Sequence, residues 1–543
     1  MSQIDPIYAA VTAPGTPFEI GACGGMRRFV NAPPDLGLMI ESVRRFGDDT
    51  FIVEGERRLS FADTFALRDA LAAQLAIEPG DRVAVCMRNS AEWMIGFLAI
   101  IRAGGIAALL NSRGSSAEML AMLDDVAADI VLADEERAAL LRQGGYTGRI
   151  ITTEEYPAPC AAPPPVRLAR SDDPAAILFT SGTTGRVKGA VLTHGNLITG
   201  IMATQLAGLM VLHNTAKAHG IPVEAILANL PQQATLQVYP LFHISGLGSA
   251  FLSPMFSGSK VVILPRWDPA QALRLIAEEG ITQFTAVPTM LWDVLNRTEL
   301  GDADMSSVRN IGTGGQALPI NLLDAVRDAC PQAVLGTGYG LTETAGSVAM
   351  AVGEDFIRNR VSAGRVLDLV EMRIEGPGGA ALPVGETGEI AVRGPMVMAG
   401  YWNRPEETAA TLSPDGWFRT GDIGYLDAEG YVFIVDRKKD MVISGGENIY
   451  CAEIERVIGE MPEVSECAAF GIPDERLGEL LVAVVVAQGT DGPQIINRVG
   501  ERLARYKQPG RVAFSSGPLP RNHVGKIDKI KLRTAWQQLI GDA

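Results

Sequence analysis

Thr180-Ser-Gly-Thr-Thr-Gly-Arg-Val-Lys-Gly189 follows Ala175-Ala-Ile-Leu-Phe179, an apolar run of strand length, and precedes Ala190-Val-Leu192 and then Thr193-His-Gly-Asn196. A loop of glycines and hydroxyls leaving a buried strand offers backbone N–H groups, side-chain hydroxyls and one lysine to a polyphosphate. Gly182 and Gly185 let the backbone take positive φ and come close to an anion. Thr180, Ser181, Gly182, Thr183, Thr184, Gly185 and Lys188 are therefore the candidate phosphate-binding residues. Lys188 is followed by Gly189 rather than Ser or Thr, so this is not a Walker A sequence. Asn196 is read as the cap of a helix that starts at Leu197. Taken alone, such a loop also fits a solvated surface turn.

Further motifs downstream weigh against that bland reading. They are Tyr339-Gly-Leu-Thr-Glu343, Gly416-Trp-Phe-Arg-Thr-Gly-Asp422, Asp436-Arg-Lys-Lys-Asp440 and Pro520-Arg-Asn-His-Val-Gly-Lys526. Together with the loop, these five stretches resemble, in order, the signature motifs of the ANL superfamily of adenylate-forming enzymes, and within it the acyl-CoA synthetases. Glu54-Gly-Glu-Arg-Arg-Leu-Ser60 and Gly80-Asp-Arg-Val-Ala84 carry a weaker similarity into the first third of the chain.

Composition sets the outer limits. A chain of 543 residues exceeds the size at which a single core stops growing, about 250–300 residues, so two or more domains are expected. With 47% hydrophobic and 20% charged residues it has the balance of a soluble globular protein. A net charge of −16 argues against general binding to nucleic acid or anionic membranes, so anionic substrates need a local basic site. The six cysteines show no C-x-x-C spacing, which points to reduced thiols in a cytoplasmic protein rather than a metal site or disulfide framework. No secretory signal is evident, and Met94 to Leu110 reads as a core helix and strand rather than a membrane span.

Along the chain, residues 1 to about 35 lack periodicity and are expected to drape over the surface. Beyond them helical and strand-like runs alternate: Phe61 to Leu71 and Ala91 to Arg102 as helices, Val83 to Met87 and Ile130 to Leu132 as strands. This alternation argues for α/β layers with largely parallel strands. The Pro-rich segment Pro157 to Pro165 reads as an extended connection, and Met202 to His219 as a packing helix. Ser307 to Ile311 reads as a strand leading into the glycine loop Gly312-Thr-Gly-Gly-Gln-Ala-Leu-Pro319. Glu466 to Phe470 and Leu480 to Ala487 are strand-like, and a helix is expected near Pro493 to Tyr506.

The resemblance implies a large N-terminal domain of layered α/β subdomains at residues 1–438, holding the ATP and acyl sites. A small mobile α+β domain follows at 439–543, hinged at Lys439. Gly314, Gly315 and Gln316 are implied at adenine, with Tyr339 offering its aromatic face for stacking. Thr342 is implied at the α-phosphate and Glu343 as the carboxylate linked to Mg²⁺, a cation that prefers hard oxygen ligands. Asp422 suits the ribose hydroxyls, since a carboxylate accepts two hydrogen bonds. Arg437 is its partner, while Asp436 and Lys438 are read as solvated charges. His243, in Tyr239-Pro-Leu-Phe-His-Ile-Ser-Gly-Leu247, is implied beside the substrate carboxylate. The run Leu247 to Phe256 either lines a hydrophobic slot or packs; the sequence leaves both open. Cys451 stands where the family often has Pro or Ser.

Lys526 is the implied catalytic cation. A carboxylate that attacks an anionic α-phosphate builds up negative charge, and a cation in a water-excluded site offsets it by about 3–4 kcal/mol. The expected activity is that of an acid:CoA ligase: carboxylic acid and ATP give acyl-AMP and pyrophosphate, then CoA takes the acyl group. In the second step the small domain turns about Lys439 and the Gly445-Gly446 loop lines the CoA channel. The resemblance further implies a protein acetyltransferase and deacetylase acting on Lys526, and a monomer or homodimer. Three rivals are a stand-alone amino-acid adenylation domain, a luciferase-like oxygenase and a non-catalytic nucleotide-binding protein. The first would need an acid after Phe242, where this chain has His243; the last is disfavoured by Lys526, Glu343 and Asp422 all being present.

Overall fold

The computed structural model describes residues 6–159, 167–181, 187–295, 303–314, 320–438, 440–444, 447–521 and 527–539. Runs rich in Val, Ile, Leu and Ala form the inner strands of two large sheets. One is ordered Gly400–Tyr401, Val187–Thr193, Pro174–Ser181, Ile106–Leu109, Arg82–Cys86, Ile130–Ala133, Arg149–Thr152. The other is ordered Arg365–Val366, Gly346–Val352, Val334–Leu341, Asn310–Gly314, Gln283–Ala286, Ala234–Gln237, Lys260–Ile263, Thr50–Glu54, Arg57–Ser60. The central strands pair parallel; antiparallel pairs lie at one end of the first sheet and at both ends of the second, while the first sheet's other edge strand, Arg149–Thr152, pairs parallel. Parallel strands covered on both faces need continuous apolar sequence, and Arg82–Cys86 and Ile106–Leu109 have it.

One apolar cluster reaches across both sheets and includes Phe51, Val85, Leu109, Leu178 and Phe251. The helix Ala91–Arg102, opened by Ser90 accepting from the Trp93 amide at 3.1 Å, lies in it with every residue buried except Glu92. Trp93 stacks on Phe97 at 5.9 Å, and both meet Phe251 edge-on.

A four-stranded antiparallel sheet follows: Glu371–Glu375, Gly388–Arg393, Phe418–Leu426 and Val432–Arg437. The C-terminal residues build their own sheet around Gly478–Ala487, with Val464–Asp474 antiparallel and Arg511–Phe514 parallel beside it. The strand's period of two divides its side chains between two cores. Leu481, Ala483 and Val485 pack with the helices Cys451–Gly459 and Gly492–Arg502. Val482 and Val484 pack with Leu532 and Trp536 of the helix Lys529–Leu539.

Several local expectations are corrected. Asn196 is not the cap. Thr193 opens the helix His194–His219 and accepts from the Asn196 amide at 3.1 Å, while Asn196 Oδ1 returns a bond to the Thr193 amide at 2.9 Å. Both residues are cap formers, and the reciprocal bonds place the boundary three residues earlier. In this helix the stretch read as a packing helix packs through its first turns, with Met202, Ala203 and Leu206 buried and Leu209 and Met210 resting on the core, and beyond them only Ala216 is buried. Among the described residues it is the one helix long and apolar enough to cross a membrane, and 44% of its most apolar window is buried inside the protein. Residues 6–29 do carry order, a short helix Pro6–Val11 and the hairpin Ile20–Cys23/Met26–Phe29, anchored by Val11 and Phe29. The strand placed at Ser307 to Ile311 runs instead over Asn310–Gly314, and the helix placed near Pro493 to Tyr506 spans Gly492–Arg502.

Candidate functional site

The phosphate-loop motif lies at a β-hairpin. Pro174–Ser181 and Val187–Thr193 pair antiparallel with Lys188 opposite Thr180, which sets a hydroxyl and an ammonium side by side. Gly182, Thr183, Thr184 and Gly185 lie outside the described residues, as does the side chain of Ser181.

A second hairpin faces it. Val334–Leu341 and Gly346–Val352 meet at a tight turn, Thr342–Thr344. Thr344 Oγ1 accepts from the Leu341 amide at 3.0 Å and donates to the Gly346 carbonyl at 2.8 Å, which fixes the turn. Gly340 sits so close to the opposite strand that a Cβ would lie 2.0 Å from the Gly346 carbonyl oxygen. Gly340→Ala therefore forces the two strands apart just before Thr342 and Glu343. Overpacking of this kind costs about 1–3 kcal/mol, so the thermal midpoint falls and adenylation drops with it. A variant with wild-type midpoint and wild-type acid-dependent ATP–pyrophosphate exchange would remove this account of the turn.

Glu343 is 8% exposed. Its Oε1 accepts from Tyr401 Oη at 2.9 Å and from Thr180 Oγ1 at 3.4 Å. Burial pushes the carboxyl up from its ordinary value, while the bonds from Tyr401 and Thr180 favour the anion. The Glu343 carbonyl also accepts from the Met398 amide at 2.8 Å, so the segment carrying Tyr401 is tied to it through the backbone as well. The Lys188 ammonium rests over the Tyr401 ring, 5.1 Å from its centroid.

Four residues before Glu343, on the same hairpin, Tyr339 donates from its hydroxyl to Asp422 Oδ2 at 2.8 Å. Asp422 is 4% exposed and its Oδ1 pairs with Arg437 Nε at 3.1 Å; the two are cross-strand partners. Burial, reinforced by the Asp422 charge, raises the Tyr339 phenol well above its ordinary range, so it stays a donor. Gly314 is in register with Gly338, immediately beside Tyr339, and a Cβ there would lie 3.3 Å from the Gly338 carbonyl. Gly315 and Gln316 lie outside the described residues.

One cleft is lined by Thr180, Lys188, His243, Gly314, Tyr339, Thr342, Glu343, Asp422 and Arg437. The His243 amide donates to the Pro240 carbonyl at 3.1 Å, and its ring packs on buried Phe242 at 4.5 Å. The large apolar side chains of the run Leu247 to Phe256 pack rather than line a hydrophobic slot. Leu247, Phe251, Leu252 and Met255 are in the core, while Ser249, Ser253 and Pro254 line the cleft. Leu209, Leu212, Ile244 and Met350 add an apolar wall.

From the C-terminal residues, Ile527, Asp528 and Lys529 reach the same cleft. Lys526, Lys439, Gly445 and Gly446 lie outside the described residues. Asp436 is not a solvated charge. It is 6% exposed, and its two oxygens accept from the Arg437 amide at 2.7 Å and the Ala452 amide at 3.2 Å, the latter in the first turn of the helix Cys451–Gly459. Burial raises its carboxyl, opposed by the nearby Lys529 ammonium, which itself pairs with Glu455 at 2.8 Å. Lys438 is 60% exposed at its side chain yet paired, with Glu389 at 2.8 Å. Adjacent strand residues face opposite sides, so the placing of Arg437 at Asp422 was a usable signal that Asp436 points elsewhere. Tyr401 and Lys529 gave no such signal, since their partners are 58 and 74 residues distant in sequence.

Comparison with known proteins shows which family the chain falls in. A family model described as AMP-binding enzyme matches residues 39–402, and one described as AMP-binding enzyme C-terminal domain matches residues 453–526. The chain is 34% identical over 498 residues to a long-chain-fatty-acid–CoA ligase of Mycobacterium tuberculosis, covering 89% of this chain and 94% of that one. It is 37% identical over 464 residues to a feruloyl-CoA synthase of Amycolatopsis, covering 84% and 89%. Among solved structures, o-succinylbenzoate CoA synthetase of Bacillus subtilis in complex with its acyl-adenylate intermediate superposes with a TM-score of 0.77 at 30% identity, covering 92% of this chain and 98% of that one.

Proposed function

Because this chain belongs to the AMP-binding, adenylate-forming enzymes, we infer that it is an acid:CoA ligase, which converts a carboxylic acid and ATP to acyl-AMP and pyrophosphate and then passes the acyl group to CoA. The observation that supports the site reading is the hairpin that spans the cleft. At one end Glu343, Thr180 and Lys188 form a phosphate end; four residues away Tyr339, Asp422 and Arg437 form a nucleoside end.

ATP lies with its ribose hydroxyls on the Asp422 carboxylate, steadied by Arg437, and its adenine between the Tyr339 ring and the flat backbone at Gly314. Lys188 and the hydroxyls of Thr180 and Thr342 take the phosphates. A carboxylate oxygen of the acid attacks the α-phosphorus, the bond to the bridging oxygen breaks, and pyrophosphate leaves with its electron pair. Lys526 offsets the charge that grows on the α-phosphate. The CoA sulfur, having lost its proton, then attacks the acyl carbon, and AMP departs with the C–O bond electrons. Between the two steps the residues from 439 onward turn about Lys439, withdrawing Lys526 and presenting Gly445 and Gly446 to the pantetheine arm.

The donor set fits Mg²⁺ bound with ATP. Among the described residues no cluster of three His, Cys, Asp or Glu forms a protein cage, and Glu343 is a buried carboxylate that lines the cleft. One buried carboxylate is what Mg²⁺ takes from a protein when phosphate oxygens and waters complete its shell. Glu343 would hold it, and its charge would favour departure of pyrophosphate.

The acid's body lies along Leu209, Leu212, Ile244 and Met350, with His243 at its carboxylate, so the substrate is an aliphatic or aryl acid. The five described cysteines are free thiols, which fits a cytoplasmic setting. The test is a panel of fatty, cinnamic and benzoic acids with ATP, measured for AMP and thioester with and without CoA. One acid should give AMP and acyl-CoA in equal amounts when CoA is present, and only bound acyl-AMP when it is not. Acid-independent ATP cleavage, or sustained AMP release without thioester, would sink the ligase reading.

A further inference from the structure

Lys188 and Glu343 carry opposite charges in one cleft, and a direct ion pair between them would cancel both. The phosphates need the ammonium, and the cation needs the carboxylate. Among the described residues Lys188 has no carboxylate within ion-pair distance; Tyr401 stands between the two groups instead. Its hydroxyl donates to Glu343 Oε1 at 2.9 Å, and the Lys188 ammonium lies over its ring at 5.1 Å. A phenol suits this place because it serves both charges at once, a neutral donor at its tip for the anion and a negative π-face for the cation.

The backbone fixes this geometry independently of the three side chains. Tyr401 is in register with Ala190 on the strand that bears Lys188, and Gly400 with Val191. The Trp402 amide donates to the Gly189 carbonyl at 2.8 Å and the Ala399 amide to Val191 at 3.0 Å. The Met398 amide donates to the Glu343 carbonyl at 2.8 Å, and the Tyr401 amide to Thr408 Oγ1 at 2.9 Å. Residues 398–402 are therefore stitched to the lysine's strand on one side and to the glutamate's turn on the other.

We propose that Tyr401 is a positioning residue for the phosphate end: its hydroxyl orients the Glu343 carboxylate toward the divalent cation, and its ring holds the Lys188 ammonium apart from that carboxylate and available to phosphate. This rests on the ligase reading above. The two functions are separable by substitution. Tyr401→Phe keeps the ring and removes the hydroxyl; Tyr401→Leu removes both.

The experiment measures equilibrium binding rather than turnover. Mn²⁺ is titrated by electron paramagnetic resonance into wild type and variants saturated with a non-hydrolysable ATP analogue, and metal-free binding of the same analogue is measured by calorimetry in EDTA. Thermal midpoints are recorded for each protein. In Tyr401→Phe the Mn²⁺ affinity falls about tenfold, the scale of one hydrogen bond to a charged group, while metal-free analogue affinity stays within about twofold of wild type. In Tyr401→Leu both affinities fall. Wild-type Mn²⁺ affinity in Tyr401→Phe overturns the proposal, as does an equal loss of metal-dependent and metal-free binding. A wild-type protein that binds neither analogue nor Mn²⁺ overturns the ligase reading itself, and the inference with it.

Discussion

Lys526→Ala lowers acyl-AMP formation by at least about a hundredfold, the scale of losing one aligned charge donor in a preorganised site, and largely spares thioester formation from acyl-AMP supplied ready-made. The asymmetry follows from where charge develops. In the first half-reaction a carboxylate meets an α-phosphate already negative, and the entering oxygen adds to that charge before pyrophosphate has left. In the second the reacting centre is the acyl carbon, and the charge appears on AMP as a leaving group. A cation that acts on the first event only is dispensable once the adenylate exists. In the sequence Lys526 comes one residue before Ile527, which lines the cleft. Acid-dependent ATP–pyrophosphate exchange measures the first half-reaction, and thioester formation from synthetic acyl-AMP measures the second. Equal losses in both would remove Lys526 from this role and point to a fault in folding or to a shared one.

Much of this was legible in the sequence where local chemistry decides the structure. Ala91–Arg102 formed as read because a serine cap precedes an almost wholly apolar run, and a run of that length with helix-forming residues has nowhere to go but the core. Val83 to Met87 and Ile130 to Leu132 sit within one residue of the strands Arg82–Cys86 and Ile130–Ala133, since short apolar runs between polar turns leave little freedom. The reading was weaker where two local solutions compete. Thr193 and Asn196 are both cap formers three residues apart, and only the reciprocal bonds decide between them. Val334–Leu341 escaped periodic reading because three of its eight residues are glycine, kept small by the close approach of Gly346 to Gly340 and of Ser347 to Gly338. The least legible residues were those whose partners come from far along the chain. Asp436 looks solvated in a run of charges until the amide of Ala452 arrives beside it. Tyr401 looks like an ordinary strand aromatic until Glu343 and Lys188 are placed on either side. Motif order nominated the site residues, but not the neighbours that hold them.

Asp422→Asn raises the KM for ATP on the order of a hundredfold and changes kcat much less. The native carboxylate is buried and takes one donor on each oxygen, Tyr339 on Oδ2 at 2.8 Å and Arg437 on Oδ1 at 3.1 Å. An amide has one acceptor oxygen and one donor nitrogen. Whichever way it turns, its NH₂ meets the hydroxyl of Tyr339 or the guanidinium of Arg437, and the guanidinium accepts nothing. The amide oxygen therefore stays with Arg437, and the NH₂ meets Tyr339, whose hydroxyl must reverse from donor to acceptor. The ribose then finds a neutral, already committed group in place of a carboxylate. Hydrogen bonds to a charged group contribute about 1.5–3 kcal/mol each, so losing the charge for two ribose hydroxyls amounts to about 3 kcal/mol, or two decades of affinity. The ribose does not react, and its contacts are the same in the ground and transition states, which places the loss in KM rather than kcat. Tyr339→Phe is the control: it removes one donor and leaves the Asp422 charge and its pairing with Arg437, so its KM rises by no more than about tenfold. Calorimetric ATP affinity and steady-state exchange, measured on both variants, separate the outcomes. An unchanged KM in Asp422→Asn, or a loss that lies wholly in kcat while ATP binds as tightly as before, would take the ribose away from Asp422 and leave the carboxylate as an anchor for Tyr339 and Arg437 alone.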